Sequence, residues 1–113
     1  MKTEFEKYMH IAGELLSYCH KKGATEFHFD MKQVEEATLF TMTASPADIE
    51  DDEMEHLLVK LQVSRRREIE QDYWELGGAS EDTSELLLIG MMVDEASVTR
   101  HDGAITINLK RLN

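Results

Sequence analysis

The sequence predicts an α/β (α+β) two-layer sandwich: a mostly antiparallel sheet with helices on one face, filling residues 1–113 as one domain. Three observations carry that expectation. Apolar residues recur at three- and four-residue spacing over residues 3–22 and again from Met54 to Leu61, the period of a half-buried helix. The period falls to two over Phe27–Lys32 and Ala104–Leu109, the signature of a strand with one covered face. Length and composition agree, since 113 residues with 42% apolar and 31% charged side chains suit one globular domain.

Each element follows in order. Phe5, Tyr8, Met9, Ala12, Leu15, Leu16 and Cys19 mark the apolar side of a first helix. His20-Lys21-Lys22 place positive charge at its C-terminal end, where the helix dipole favours it, and Gly23 stops it. A strand over Phe27–Lys32, a polar turn at Gln33–Glu36 and a Thr- and Phe-containing strand over Ala37–Thr43 read as an antiparallel hairpin. Ser45-Pro46-Ala47-Asp48 is a helix start, with serine as cap and proline at the first helical position. Periodicity leaves open whether 48–76 is one helix or two broken near Gln62–Ser64, the second ending at Gly77-Gly78. Leu86–Val93 fits a buried strand or a buried helix. Ser84 as a cap and the charges at Asp94-Glu95 favour helix. His101-Asp102-Gly103 is a turn, followed by the Ala104–Leu109 strand, and Ser97–Arg100 can open that hairpin.

Charge narrows the function classes. Twelve basic residues against 23 acidic ones leave −11, which repels phosphate backbones and anionic lipid; no nucleic-acid or membrane partner is expected. A single cysteine, Cys19, forms no internal disulfide and no thiolate zinc site. The N-terminus lacks the apolar stretch of a secretory signal, and no apolar run approaches the ~20 residues of a membrane span. The expected location is the cytoplasm.

Few residues offer chemistry. The acids from Asp48 to Glu55 lack the glycine and terminal glutamate of a calcium loop and read as favourable charge at a helix N-terminus. The five histidines show no zinc-ligand spacing. Cys19 lies on the apolar side of its helix and reads as a buried structural thiol. Neither a nucleophile elbow nor a phosphate-binding glycine-lysine loop occurs. Arg65, Arg66 and Arg67 are balanced by Glu68 and Glu70 at helical spacing. With Tyr73 and Trp74, the lone tryptophan, they form the candidate partner contact, because Trp and Arg dominate interface hot spots. The methionines read as adaptable core filler.

Residues 14–30 (Glu-Leu-Leu-Ser-Tyr-Cys-His-Lys-Lys-Gly-Ala-Thr-Glu-Phe-His-Phe-Asp) resemble the first helix and following strand of a GHKL ATP-binding domain. That is the fold of histidine-kinase ATPase domains and anti-sigma-factor kinases. Residues 88–112 resemble the C-terminal end of the anti-sigma branch, and Phe40–Ile49 stands where the family carries a strand and its first glycine box. The resemblance implies a Mg-ATP site, yet the residues aligned with that site depart from the pattern. Tyr18 stands at the magnesium-binding asparagine, and Glu14 at the water-activating glutamate one turn earlier. Ala44, Pro46 and Asp48 replace the Asp-x-Gly-x-Gly box. Alanine cannot accept the adenine amino hydrogen bond, and proline lacks glycine's backbone freedom. Thr83-Ser84-Glu85-Leu86 replaces the later phosphate-binding glycine box, and Glu85 would repel phosphate. At ~1–3 kcal/mol per lost contact and ~1.4 kcal/mol per decade, such losses move a micromolar affinity toward millimolar.

The resemblance and its departures together imply a degenerate domain without cofactor or catalysis, acting as a regulator through a protein partner or self-association. Two rivals come from other classes. One is a divergent Mg-ATP-binding regulator or kinase with a pocket between the first helix and the sheet. The other is a small-ligand domain using a vacated pocket lined by Tyr18, Ala44 and methionines.

Overall fold

The computed structural model describes residues 3–47, 49–62 and 89–112. Among the described residues the elements, in chain order, are α1 (Glu4–Lys21), β1 (Glu26–Gln33), β2 (Ala37–Ser45), α2 (Asp51–Leu61), β3 (Glu95–His101) and β4 (Ala104–Leu112). The four strands form one antiparallel sheet in the order β1-β2-β4-β3. Both helices pack into one core cluster against the same sheet face, so the antiparallel two-layer expectation holds.

Helix α1 runs from a capping box to a glycine stop. The Thr3 hydroxyl accepts the Glu6 N–H at 3.1 Å, and the Glu6 carboxylate accepts the Thr3 N–H at 2.9 Å, satisfying two donors near the helix start. At the other end Lys22 is the C-cap and Gly23 follows at φ 93°, a conformation a side chain disfavours. Tyr8, Ile11, Ala12, Leu15 and Cys19 are buried.

The sheet alternates as a covered sheet must. On β2, Thr38, Phe40, Met42 and Ala44 are buried; on β4, Ile105, Ile107, Leu109 and Arg111 are. These face the helices. Tyr8 stacks edge-on against Phe40, with ring centroids 5.7 Å apart, and its hydroxyl accepts a 3.2 Å hydrogen bond from Thr38. Both polar ends are thereby satisfied inside the core. The β3–β4 hairpin turns on Asp102 (φ 50°) and Gly103 (φ 77°), the two left-handed residues of a two-residue loop that matches strand twist.

Two boundaries differ from the sequence expectation. The helix after β2 does not begin at Ser45-Pro46. Ser45 is the last residue of β2, paired with Glu26, and its carbonyl accepts the Thr25 N–H at 3.0 Å. The Ser45–Pro46 peptide is cis, and α2 begins six residues beyond Ser45, after Glu50 as N-cap. Asp51, Asp52 and Glu53 supply the first-turn acids. The second difference concerns Leu86–Val93, expected as a helix, of which residues 86–88 lie outside the described residues. Ile89 and Gly90 are helical, Met91 and Met92 form a turn, and Glu95 already opens β3. Pairing wins there, because the Asp94 N–H donates to the Lys110 carbonyl at 2.7 Å and the Leu112 N–H to the Asp94 carboxylate at 2.6 Å. Helix α2 stops at Leu61 with Gln62 as C-cap; the question of a second helix to residue 76 lies outside the described residues.

Candidate functional site

The residues aligned with a nucleotide site converge only partly. Tyr18 lies half-buried on α1 and packs against the core. Lys22, one turn later, places its ammonium 5.7 Å from the Tyr18 ring centroid and forms an ion pair with Glu53 in the first turn of α2. Tyr18, Lys22 and Glu53 thus tie the end of α1 to the start of α2. Glu14 stands on α1 with His10 Nε2 3.9 Å from its carboxylate. Ala44 is fully buried in the core under β2, and Pro46 is exposed. Asp48, Glu85 and the partner-contact candidates Arg65, Arg66, Arg67, Tyr73 and Trp74 lie outside the described residues.

The chain between β2 and α2, where the first glycine box would sit, is clamped by the β3–β4 hairpin. The Ala47 N–H donates to the Gly103 carbonyl at 2.8 Å. Arg100 donates to the Ile49 carbonyl and forms an ion pair with Asp51. The Ala47 N–H and the Ile49 carbonyl are thereby taken by protein partners.

Electrostatics leave these groups in quiet states. Burial, with the Glu53 charge second and Cys19 third, pushes the Tyr18 phenol up to about 12, so it stays neutral. Burial pushes the Cys19 thiol up to about 11, away from a reactive thiolate, as its apolar position implied. The Lys22 hydrogen bond holds the Glu53 carboxyl below its ordinary value, against a smaller opposing effect of desolvation. No group of three or more His, Cys, Asp or Glu among the described residues is placed to hold a metal ion.

A different concavity lies on the sheet face away from the helices. It measures about 290 Å³ and is lined by residues of β2, β4 and β3, among them Leu39, Thr41, Ser97, Asn108 and Lys110. That is close to the lower bound of small-molecule sites. Its polar groups already pair across the strands. Thr41 donates to Asn108 Oδ1 at 2.9 Å, Asn108 Nδ2 reaches Ser97 Oγ at 3.5 Å, and Lys110 lies 3.8 Å from Glu95. Sequence reasoning missed this groove. Its signal is the polar half of the period-two pattern on β2 and β4, which becomes a surface only once those strands are neighbours.

No family model and no curated protein sequence matches the chain. No helix among the described residues is long and apolar enough to cross a membrane.

Proposed function

We propose that the chain is a non-catalytic, degenerate GHKL-like domain, a regulatory or protein-interaction module that has lost ATP binding. The observation that carries this reading is the Tyr18–Lys22–Glu53 cluster. At the position the resemblance assigns to a magnesium-binding asparagine, a bulky neutral phenol packs against the core. The neighbouring cation and carboxylate neutralise each other rather than attract phosphate or metal. Two further features support it. The first-box aspartate is replaced by Ala44, which offers no side-chain acceptor and is fully buried. In the following loop the Ala47 N–H is taken by the Gly103 carbonyl and the Ile49 carbonyl by Arg100.

The test is a thermal-shift titration of the full chain with Mg-ATP and with Mg-ADP up to millimolar concentration. A ligand that binds only the folded state with a Kd of about 100 µM would add about 2 kcal/mol at about 5 mM, a visible rise in midpoint. The expected result is an unchanged midpoint. A magnesium-dependent rise would overturn the reading and favour the divergent Mg-ATP-binding regulator.

A further inference from the structure

Among the described residues, strand β1 ends the four-stranded sheet on one side, and its outer edge carries a charge pattern complementary to itself. The strand pairs with β2 without interruption from Glu26↔Ser45 to Gln33↔Thr38 and contains no proline or bulge. Glu26, His28, Asp30 and Lys32 are exposed on the face away from the helices, while Phe27, Phe29 and Met31 are half-buried on the helix side. We propose that β1 pairs antiparallel with β1 of a second copy of this chain about a two-fold axis at Phe29, joining two sheets into one of eight strands.

Backbone parity, charge and apolar surface each support that register. The Val34 N–H donates to the Ala37 carbonyl at 2.9 Å, which sets the hydrogen-bonding phase of the hairpin. Antiparallel pairs alternate, so even-numbered β1 residues direct their N–H and C=O groups to β2, and Phe27, Phe29 and Met31 direct theirs outward. A two-fold at Phe29 therefore matches outward donors with outward acceptors.

In that register Glu26 stands opposite Lys32 of the second copy and His28 opposite Asp30, each twice by symmetry. His28 Nε2 already lies 2.9 Å from Glu26 of its own strand, so it would sit between two carboxylates. Moving the axis to His28 sets Glu26 against Asp30, and moving it to Asp30 sets Asp30 against itself and His28 against Lys32. Both neighbouring registers place like charges or two cationic-capable groups together, and axes at Phe27 or Met31 keep only one kind of complementary pair (Glu26 with His28, or Asp30 with Lys32), so the Phe29 register makes the most attractive pairs. The same charges guard an edge left unpaired among the described residues against indiscriminate pairing.

The apolar surface lies on the same flank. On α1, Phe5, Met9 and Leu16 are exposed, at roughly 140–180° around the helix from Tyr18, which faces α2 through Lys22 and Glu53. The exposed stripe is therefore turned away from α2, toward the side of the helix layer that covers β1. Edge pairing brings two such ledges together, covering surface that a monomer leaves wet.

This pairing gives the protein-contact reading a partner but does not rest on the loss of nucleotide binding. The test is sedimentation equilibrium of the intact chain and of the exposed charge reversals Glu26→Lys and Lys32→Glu, over low to high micromolar concentration. The wild type should populate a species of twice the 13.0 kDa monomer mass. Each variant alone, with two like-charge pairs across the axis, should dissociate at least about tenfold more readily. An equimolar mixture should recover the dimer, because Lys at 26 of one variant faces Glu at 32 of the other and the remaining pair is native. Recovery also shows that both variants are folded. A wild type that stays monomeric, a dimer indifferent to either reversal, or a mixture that does not recover would each overturn the proposal. None of these outcomes bears on the nucleotide titration.

Discussion

Gly90 shows how a single hydrogen atom in place of a side chain can set the distance between two segments. A Cβ built there would stand 2.2 Å from the Lys60 carbonyl oxygen and 3.0 Å from the Leu61 Cα, both backbone atoms of the last turn of α2. Backbone cannot swing aside as a lysine tip can, so Gly90→Ala must push the 89–93 segment away from α2. The expected cost is about 2 kcal/mol, with a midpoint drop of roughly 5 °C or more. Denaturant unfolding checks it, and a loss under ~0.5 kcal/mol would show that the approach is not tight. In the sequence Gly90 looks like an interruption in an apolar run; its reason is a contact with residues thirty positions away. Arg111 is equally illegible in advance. Its position in the β4 alternation puts it on the helix face, and it is buried because it donates to the Met92 carbonyl at 2.7 Å and to both Glu4 carboxylate oxygens at 3.0 and 3.1 Å. Cys19, by contrast, was readable from its place with Tyr8, Ala12 and Leu15 on the helical wheel.

Between elements, the Lys22–Glu53 pair makes the α1–α2 junction sensitive to acid. The Glu53 carboxyl is held below its ordinary value of 4.5 in the folded state. A depressed folded value means the contribution is fully present above the unfolded pKa and disappears as pH falls through the folded one. The wild type should therefore exceed Glu53→Gln in stability by a constant amount from pH 7 down to about 5. The gap should then close below about pH 4. Denaturant midpoints for the two proteins across that range test this, and a gap unchanged at low pH would assign the effect to packing. The elements themselves were largely written in local pattern: α1, both strands of the first hairpin and the Asp102-Gly103 turn lie where periodicity and turn residues put them. The start of α2 was not, because Ser45-Pro46 carries a good local helix signal that pairing with Glu26 overrides.

For the molecule as a whole, the buried thiol offers a reporter of global unfolding. Cys19 is fully buried in the same cluster as Phe40, Leu57 and Ile107, which joins both helices to the sheet. A disulfide reagent near pH 8 should leave it nearly untouched in the native protein and react promptly in denaturant. In the native protein the modification rate should follow the open population as denaturant is added. Fast native labelling would instead reveal a local opening of α1. Among the described residues, residue order by itself determined the kinds of most elements, and it fixes the net acidic charge and the quiet chemistry of the single cysteine. Those follow from side-chain volume, charge and period, which act over a few residues. Tertiary structure alone decided that β2 and β4 are central neighbours, that Thr41, Asn108 and Ser97 share a groove, and that Tyr18, Lys22 and Glu53 meet. Such contacts join residues tens of positions apart, and which strands pair is chosen by burying all the apolar faces at once, a condition no local stretch contains.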